Sequence, residues 1–100
     1  MSVDDVYSAI KGEEDYFILD VRTRDEFEAA HIGGAKLIPV SELENRLDEI
    51  PEGKPIIVYC RSGNRSAQAA TILVQNGFKE VYNMRGGISA WISKGYPVVK

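Results

Sequence analysis

Apolar and polar positions change rhythm repeatedly along this chain. After Ser2, Val6, Ala9 and Ile10 fall on one helical face. The Ser2 to Asp5 spacing supplies a helix start, and Gly12 a stop. Residues 16–21 form a short, nearly continuous apolar run, the pattern of a strand buried on both faces. Thr23 stands three residues before Glu26, a capping-box spacing that opens a short helix through Ala30. Gly33 and Gly34 break the chain. Residues 35–40 read as a second short strand, which Pro39 confines to an edge or an end. Ser41 and Glu44 form another capping box, opening a helix whose Leu43, Leu47 and Ile50 share a face. Pro51 and Gly53 close it. Residues 56–60 (IIVYC) are the strongest strand signal. Residues 65–76 form a helix with Ala69, Ile72 and Leu73 on one side and Gly77 as its stop. Residues 81–84 make a last strand, Gly86 and Gly87 a turn, and residues 88–94 a short helix ended by Gly95. Helical and strand patterns alternate throughout, which predicts an α/β domain with a mainly parallel sheet.

Composition narrows the picture. One hundred residues suit one domain, here residues 1–100. With 44% hydrophobic and 27% charged residues the profile is that of a soluble globular chain. A net charge of -3 argues against general nucleic-acid affinity. No apolar run approaches a membrane span, and no charged stretch followed by an apolar run opens the chain, so the expected location is cytoplasmic. Cys60 is the single cysteine. An intramolecular disulfide is therefore impossible, and a cysteine-built zinc site is excluded; no metal or cofactor is expected. A lone thiol fits a reducing compartment. Nothing indicates an oligomer, and a monomer is expected.

The candidate chemistry lies in Cys60-Arg61-Ser62-Gly63-Asn64-Arg65-Ser66. This segment follows the best strand and precedes a good helix. Ligands of open α/β sheets bind outside the carboxyl ends of strands. A helix N-terminus offers unpaired N–H groups and partial positive charge. Arg61 and Arg65 add two cations. Gly63 and Asn64 tolerate left-handed backbone angles, so the loop can turn its N–H groups inward as an anion nest. Such a nest lowers a thiol pKa and holds an anionic substrate beside it. The bland alternative is an inert core cysteine at a strand end. Two arginines, a glycine and two serines directly after it make a poor core and a good anion site. Ser62 and Ser66 can each donate a hydroxyl hydrogen bond to the sulfur, and Ser66 can equally do no more than support the first turn of the helix. Asp20, at a strand end, is expected to fix loops through hydrogen bonds, with Arg22 as partner. His31 reads as a turn-stabilising residue, Phe27 and Trp91 as core. Glu42, Glu44, Asp48 and Glu49 read as a solvated acidic face.

Four motifs in order carry a family resemblance: Asp20-Val21-Arg22 with Glu26-Phe27; His31-Ile32-Gly33-Gly34-Ala35 with Ile38-Pro39; Tyr59-Cys60-Arg61-Ser62-Gly63-Asn64-Arg65-Ser66; and Gly86-Gly87 with Trp91 and Gly95-Tyr96-Pro97. With these, the chain resembles the rhodanese homology domain. The resemblance implies a central, mainly parallel five-stranded sheet with helices on both faces. It also implies a sulfurtransferase in which Cys60 takes a sulfur from a small anionic donor such as thiosulfate and passes it, as a persulfide, to a thiol or to cyanide. The N–H groups from Arg61 to Arg65 would hold the terminal sulfur, and Arg61 and Arg65 would favour anionic donors. A sulfur-carrier or interaction module with little turnover is the alternative. Tyrosine phosphatases share the strand, cysteine, loop and arginine plan, but their loop is one residue longer than the four residues between Cys60 and Arg65. The shorter loop suits sulfur better than a phosphate group.

Overall fold

The computed structural model describes residues 1–100. Helix α1 (Val3–Lys11) starts at Ser2, whose side chain accepts from the Asp5 N–H while the Asp5 carboxylate accepts from the Ser2 N–H. This reciprocal cap satisfies two otherwise orphaned donors. Helix α2 (Arg24–Ala29) is capped the same way by Thr23 and Glu26. Helix α3 (Asn64–Gln75) begins one residue before the predicted start, behind Gly63 at φ +116°. Helix α4 (Gly87–Ser93) follows Gly86, and takes in Gly87 from the expected turn.

Strands β1 (Phe17–Asp20), β2 (Lys36–Leu37), β3 (Ile56–Tyr59) and β4 (Val81–Asn83) form one parallel sheet in the order β2-β1-β3-β4. The sheet has four strands, not the five expected. The further pairing is a single antiparallel bridge between His31 and Val99, too short to make a strand. The β2 strand lies at an edge and stops before Pro39, which has no N–H to offer a ladder.

The strands alternate their side chains between two apolar layers. Leu19, Val21, Ile56, Val58 and Cys60 pack with Ala69 and Leu73 of α3 and with Leu43 and Ile50. Ile18, Ile57 and Tyr59 face the other side, with Val3 and Val6 of α1 and Ile88 and Trp91 of α4. Helices therefore cover both faces. Trp91 belongs to the core as expected, and its indole N–H donates to the Pro97 carbonyl at 2.8 Å. Phe27 does not: it is half-buried and stacks on the His31 ring at 3.7 Å between centroids.

The segment expected to be a helix opened by Ser41 is two 3-10 turns instead, Val40–Asn45 and Leu47–Glu49, with no side-chain cap. Arg46, at φ -130°, interrupts the run. A 3-10 turn rises about 2.0 Å per residue against about 1.5 Å in an α-helix. The tighter winding lets the same residues reach further across the sheet while Leu43 and Ile50 still enter the core. Arg46 bridges Glu42 at 2.9 Å and Glu49 at 2.7 Å, so part of the acidic face is internally paired.

Candidate active site

The site forms where β3 ends and α3 begins. Cys60 is 1% exposed and is the single free thiol. The backbone reverses at Gly63, in left-handed conformation, and its N–H donates to Cys60 Sγ at 3.1 Å. The Ser66 hydroxyl lies 3.4 Å from the same sulfur. Burial pushes the Cys60 thiol up. The Ser66 hydroxyl and the backbone N–H groups of Ser66, Gly63 and Ser62 outweigh it, and the thiol lies below its ordinary value. These donors stabilise the charged, nucleophilic form. Arg61, Ser62 and Asn64 are exposed at the mouth, and Arg65 is half-buried.

Asn83, on β4, connects the donors. Its side-chain N–H donates to the Gly63 carbonyl at 3.3 Å, and its Oδ1 accepts from the Ser66 hydroxyl at 2.6 Å. One amide thus ties the loop's turning point to the start of α3. Asn83 escapes a reading of the sequence because it belongs to no motif. The available signal is a polar residue in an otherwise apolar strand.

Asp20 and Arg22 form a buried ion pair under the site, 0% and 5% exposed. Asp20 Oδ2 accepts from Arg22 Nη2 at 2.7 Å, and Oδ1 accepts from the Arg22 backbone N–H at 2.9 Å. Arg22 also donates to the Ala30 carbonyl at 2.7 Å and lies over the Tyr59 ring. Burial acts to lower the Arg22 pKa, but Asp20 outweighs it and holds the guanidinium above its ordinary value. The pair joins β1 to the end of α2. Tyr59 accepts from the Ile32 N–H at 3.1 Å, and burial with the nearby Asp20 charge pushes its phenol up. His31 bonds the Phe27 carbonyl through Nδ1 at 2.8 Å, a local turn contact.

The structure departs from expectation at Arg65. Its guanidinium is held by Glu26, Nη1 to Oε1 at 2.8 Å and Nη2 to Oε2 at 2.9 Å, across from α2. Glu26, expected from sequence as a helix cap and as part of a family motif, is thus also the partner of a loop arginine. Arg61 makes no ion pair. Arg61, Glu26, Arg22, Ala29, Ala30, Ile88, Ser89 and Ile92 line an open cavity of about 370 Å³. No group of three or more His, Cys, Asp or Glu side chains stands close enough together to hold a metal ion.

Residues 2–94 match the family model described as "Rhodanese-like domain". A protein of Allochromatium vinosum named "Sulfurtransferase" is 42% identical over 86 residues, covering 86% of this chain and 80% of that protein. "Thiosulfate sulfurtransferase GlpE" of Coxiella burnetii is 38% identical over 79 residues, covering 79% and 74%. The crystal structure of a rhodanese-related protein from Thermoplasma volcanium superimposes with a TM-score of 0.90 at 38% identity, covering 99% of this chain and 95% of that one.

Proposed function

Because this chain belongs to the rhodanese-like domain family, we propose that it is a sulfurtransferase that carries a sulfane sulfur as a persulfide on Cys60. The observation that carries the reading is the setting of the thiol. It ends a buried strand, receives the Gly63 N–H and stands beside the Ser66 hydroxyl, with its pKa depressed.

In the first step the Cys60 thiolate attacks the outer sulfur of thiosulfate. The bond from that sulfur to the sulfonate breaks, and sulfite leaves with the electron pair. Cys60 is left with a terminal anionic sulfur. The backbone N–H groups of Ser62, Gly63 and Ser66 that favour the Cys60 thiolate suit that charge, since donors fixed before the reaction need no reorganisation. In the second step a thiolate or cyanide attacks the terminal sulfur, and Cys60 returns as a thiolate. Atoms and electrons balance without a metal or cofactor. Arg61, Ser62, Gly63 and Asn64 form the donor site, with Arg65 behind them. Ser66 supports the sulfur, and the Asp20–Arg22 pair supports the framework. A small persulfide is the other donor class, and a small or protein thiol the acceptor. The monomer acts alone in this scheme, and a reducing, cytoplasmic setting would keep the thiol free. No helix of the structure is long and apolar enough to cross a membrane.

Intact mass after thiosulfate treatment tests the proposal. The expected result is a gain of one sulfur atom in the native protein, reversed by a reductant and absent in Cys60→Ser. If folded, reduced protein gains no sulfur from thiosulfate or from glutathione persulfide, the enzyme reading fails. Loading from a protein persulfide alone would favour a sulfur carrier.

A further inference from the structure

Three guanidinium groups, Arg61, Arg65 and the buried Arg22, belong to the site, and they are not equivalent. Arg22 is consumed by Asp20. Arg65 is consumed by Glu26 through two parallel hydrogen bonds. Glu26 is itself fixed at the start of α2. It accepts from the Thr23 N–H and the Thr23 hydroxyl, both at 3.1 Å. Arg61 is exposed and has no carboxylate partner. Glu26 and Arg61 line the same open cavity. Of these three guanidinium groups, two are paired with carboxylates and Arg61 is not.

We infer that Glu26 is a specificity residue: by neutralising Arg65 it leaves Arg61 as the one unpaired guanidinium of the three, so the site favours sulfur donors carrying one negative charge over the thiosulfate dianion. This rests on the persulfide reading above and narrows its donor class to organic thiosulfonate and hydropersulfide anions. The nucleophile is itself an anion, so a second negative charge on the donor is repelled unless the protein balances it. The burial of Cys60 strengthens that repulsion relative to bulk water. With Glu26 ionised, Arg65 has little charge left to offer. The apolar side of the cavity, with Ala29, Ile88 and Ile92, suits the organic portion of such a donor better than a second sulfonate oxygen. Ile92 is 51% exposed.

The chemistry balances for a matched pair of donors. Thiosulfate gives its outer sulfur to Cys60 and leaves as sulfite. Methanethiosulfonate, with a methyl group in place of one charged oxygen, gives the same sulfur and leaves as methanesulfinate. Both leave the same Cys60 persulfide, which cyanide then discharges as thiocyanate. The two donors differ by one charge at nearly equal size.

Glu26→Gln provides the test. Glutamine is the other residue that serves at this capping-box position, so the start of α2 is retained. The measurement is kcat/KM for the two donors at low ionic strength, with cyanide as acceptor. Removing the Glu26 charge is expected to raise thiosulfate relative to methanethiosulfonate by about five- to tenfold, mainly through a lower KM for thiosulfate. The change should shrink in high salt. Glu26→Asp, which keeps the charge, should retain the native ratio and separates charge from packing. An unchanged donor ratio in Glu26→Gln, or the same change in Glu26→Asp, overturns the assignment. If the native protein accepts sulfur from neither donor, nor from glutathione persulfide, the enzyme reading itself falls, a different and separable outcome.

Discussion

The Ser66 hydroxyl lies 2.6 Å from Asn83 Oδ1 and 3.4 Å from Cys60 Sγ, and it has one proton to donate. Asn83 is held with Oδ1 toward Ser66 because its N–H group is committed to the Gly63 carbonyl. While Cys60 is a thiol, its S–H can donate to Ser66 and the Ser66 hydroxyl can keep donating to Asn83 Oδ1. Once Cys60 ionises, the sulfur needs donors, and the hydroxyl gains by turning toward it. Ser66→Ala removes that donor and leaves Asn83 Oδ1 without its partner. The variant should lose about 1 kcal/mol of stability in denaturant unfolding. It should also move the pH profile of Cys60 alkylation to higher pH, since the lost hydrogen bond favours the thiolate. An unmoved profile would mean that Ser66 serves Asn83 alone.

The N-terminus of α4 packs on the loop after β3. The Ile88 N–H donates to the Cys60 carbonyl at 2.9 Å, and the Ser89 N–H to the Arg61 carbonyl at 3.0 Å. These two bonds hold the loop from below while α3 holds it from the side. The contact is possible because residue 87 has no side chain. A Cβ there would meet the Arg61 carbonyl oxygen at 2.4 Å, and the backbone already has φ +60°. Gly87→Ala must therefore separate the helix from the loop or strain both. A loss of about 2–3 kcal/mol in thermal unfolding is expected, together with a larger fall in sulfur-transfer rate than in Ser66→Ala. Near-native stability and rate would show that the loop does not depend on this contact. The double glycine is visible in the sequence as a turn. Its reason, a close approach between backbones, becomes visible once α4 is placed against the loop.

Across the whole molecule, the Glu26–Arg65 pair joins α2 to α3 over 39 residues of chain. Arg65, aided by Thr23, holds the Glu26 carboxyl at about 2 in place of 4.5. An unfolded Glu26 titrates at its ordinary value. The pair's contribution is thus complete above pH 4.5 and is lost as pH falls through about 2. Solvent screens the pair, so the contribution is about 1 kcal/mol. Glu26→Gln should be less stable than the native protein by about that amount near neutral pH, and the gap should close in acid unfolding between those limits. A gap that persists below pH 2 would place the loss in packing, not in charge. The amino-acid sequence by itself determined the alternation of elements, the reciprocal caps at Ser2 and Thr23, the edge position forced by Pro39, and the cysteine loop at the end of the strongest strand. Each is a local consequence of hydrogen-bonding groups and apolar periodicity within a few residues. The tertiary structure alone decided the four-strand count, the 3-10 winding after Val40, the stacking of Phe27 on His31, the tie from Asn83 to Ser66 and Gly63, and the capture of Arg65 by Glu26. Those depend on which distant groups meet. Arg65, at the end of the cysteine loop, reads as part of an anion site until the fold brings a carboxylate from 39 residues away to claim its charge.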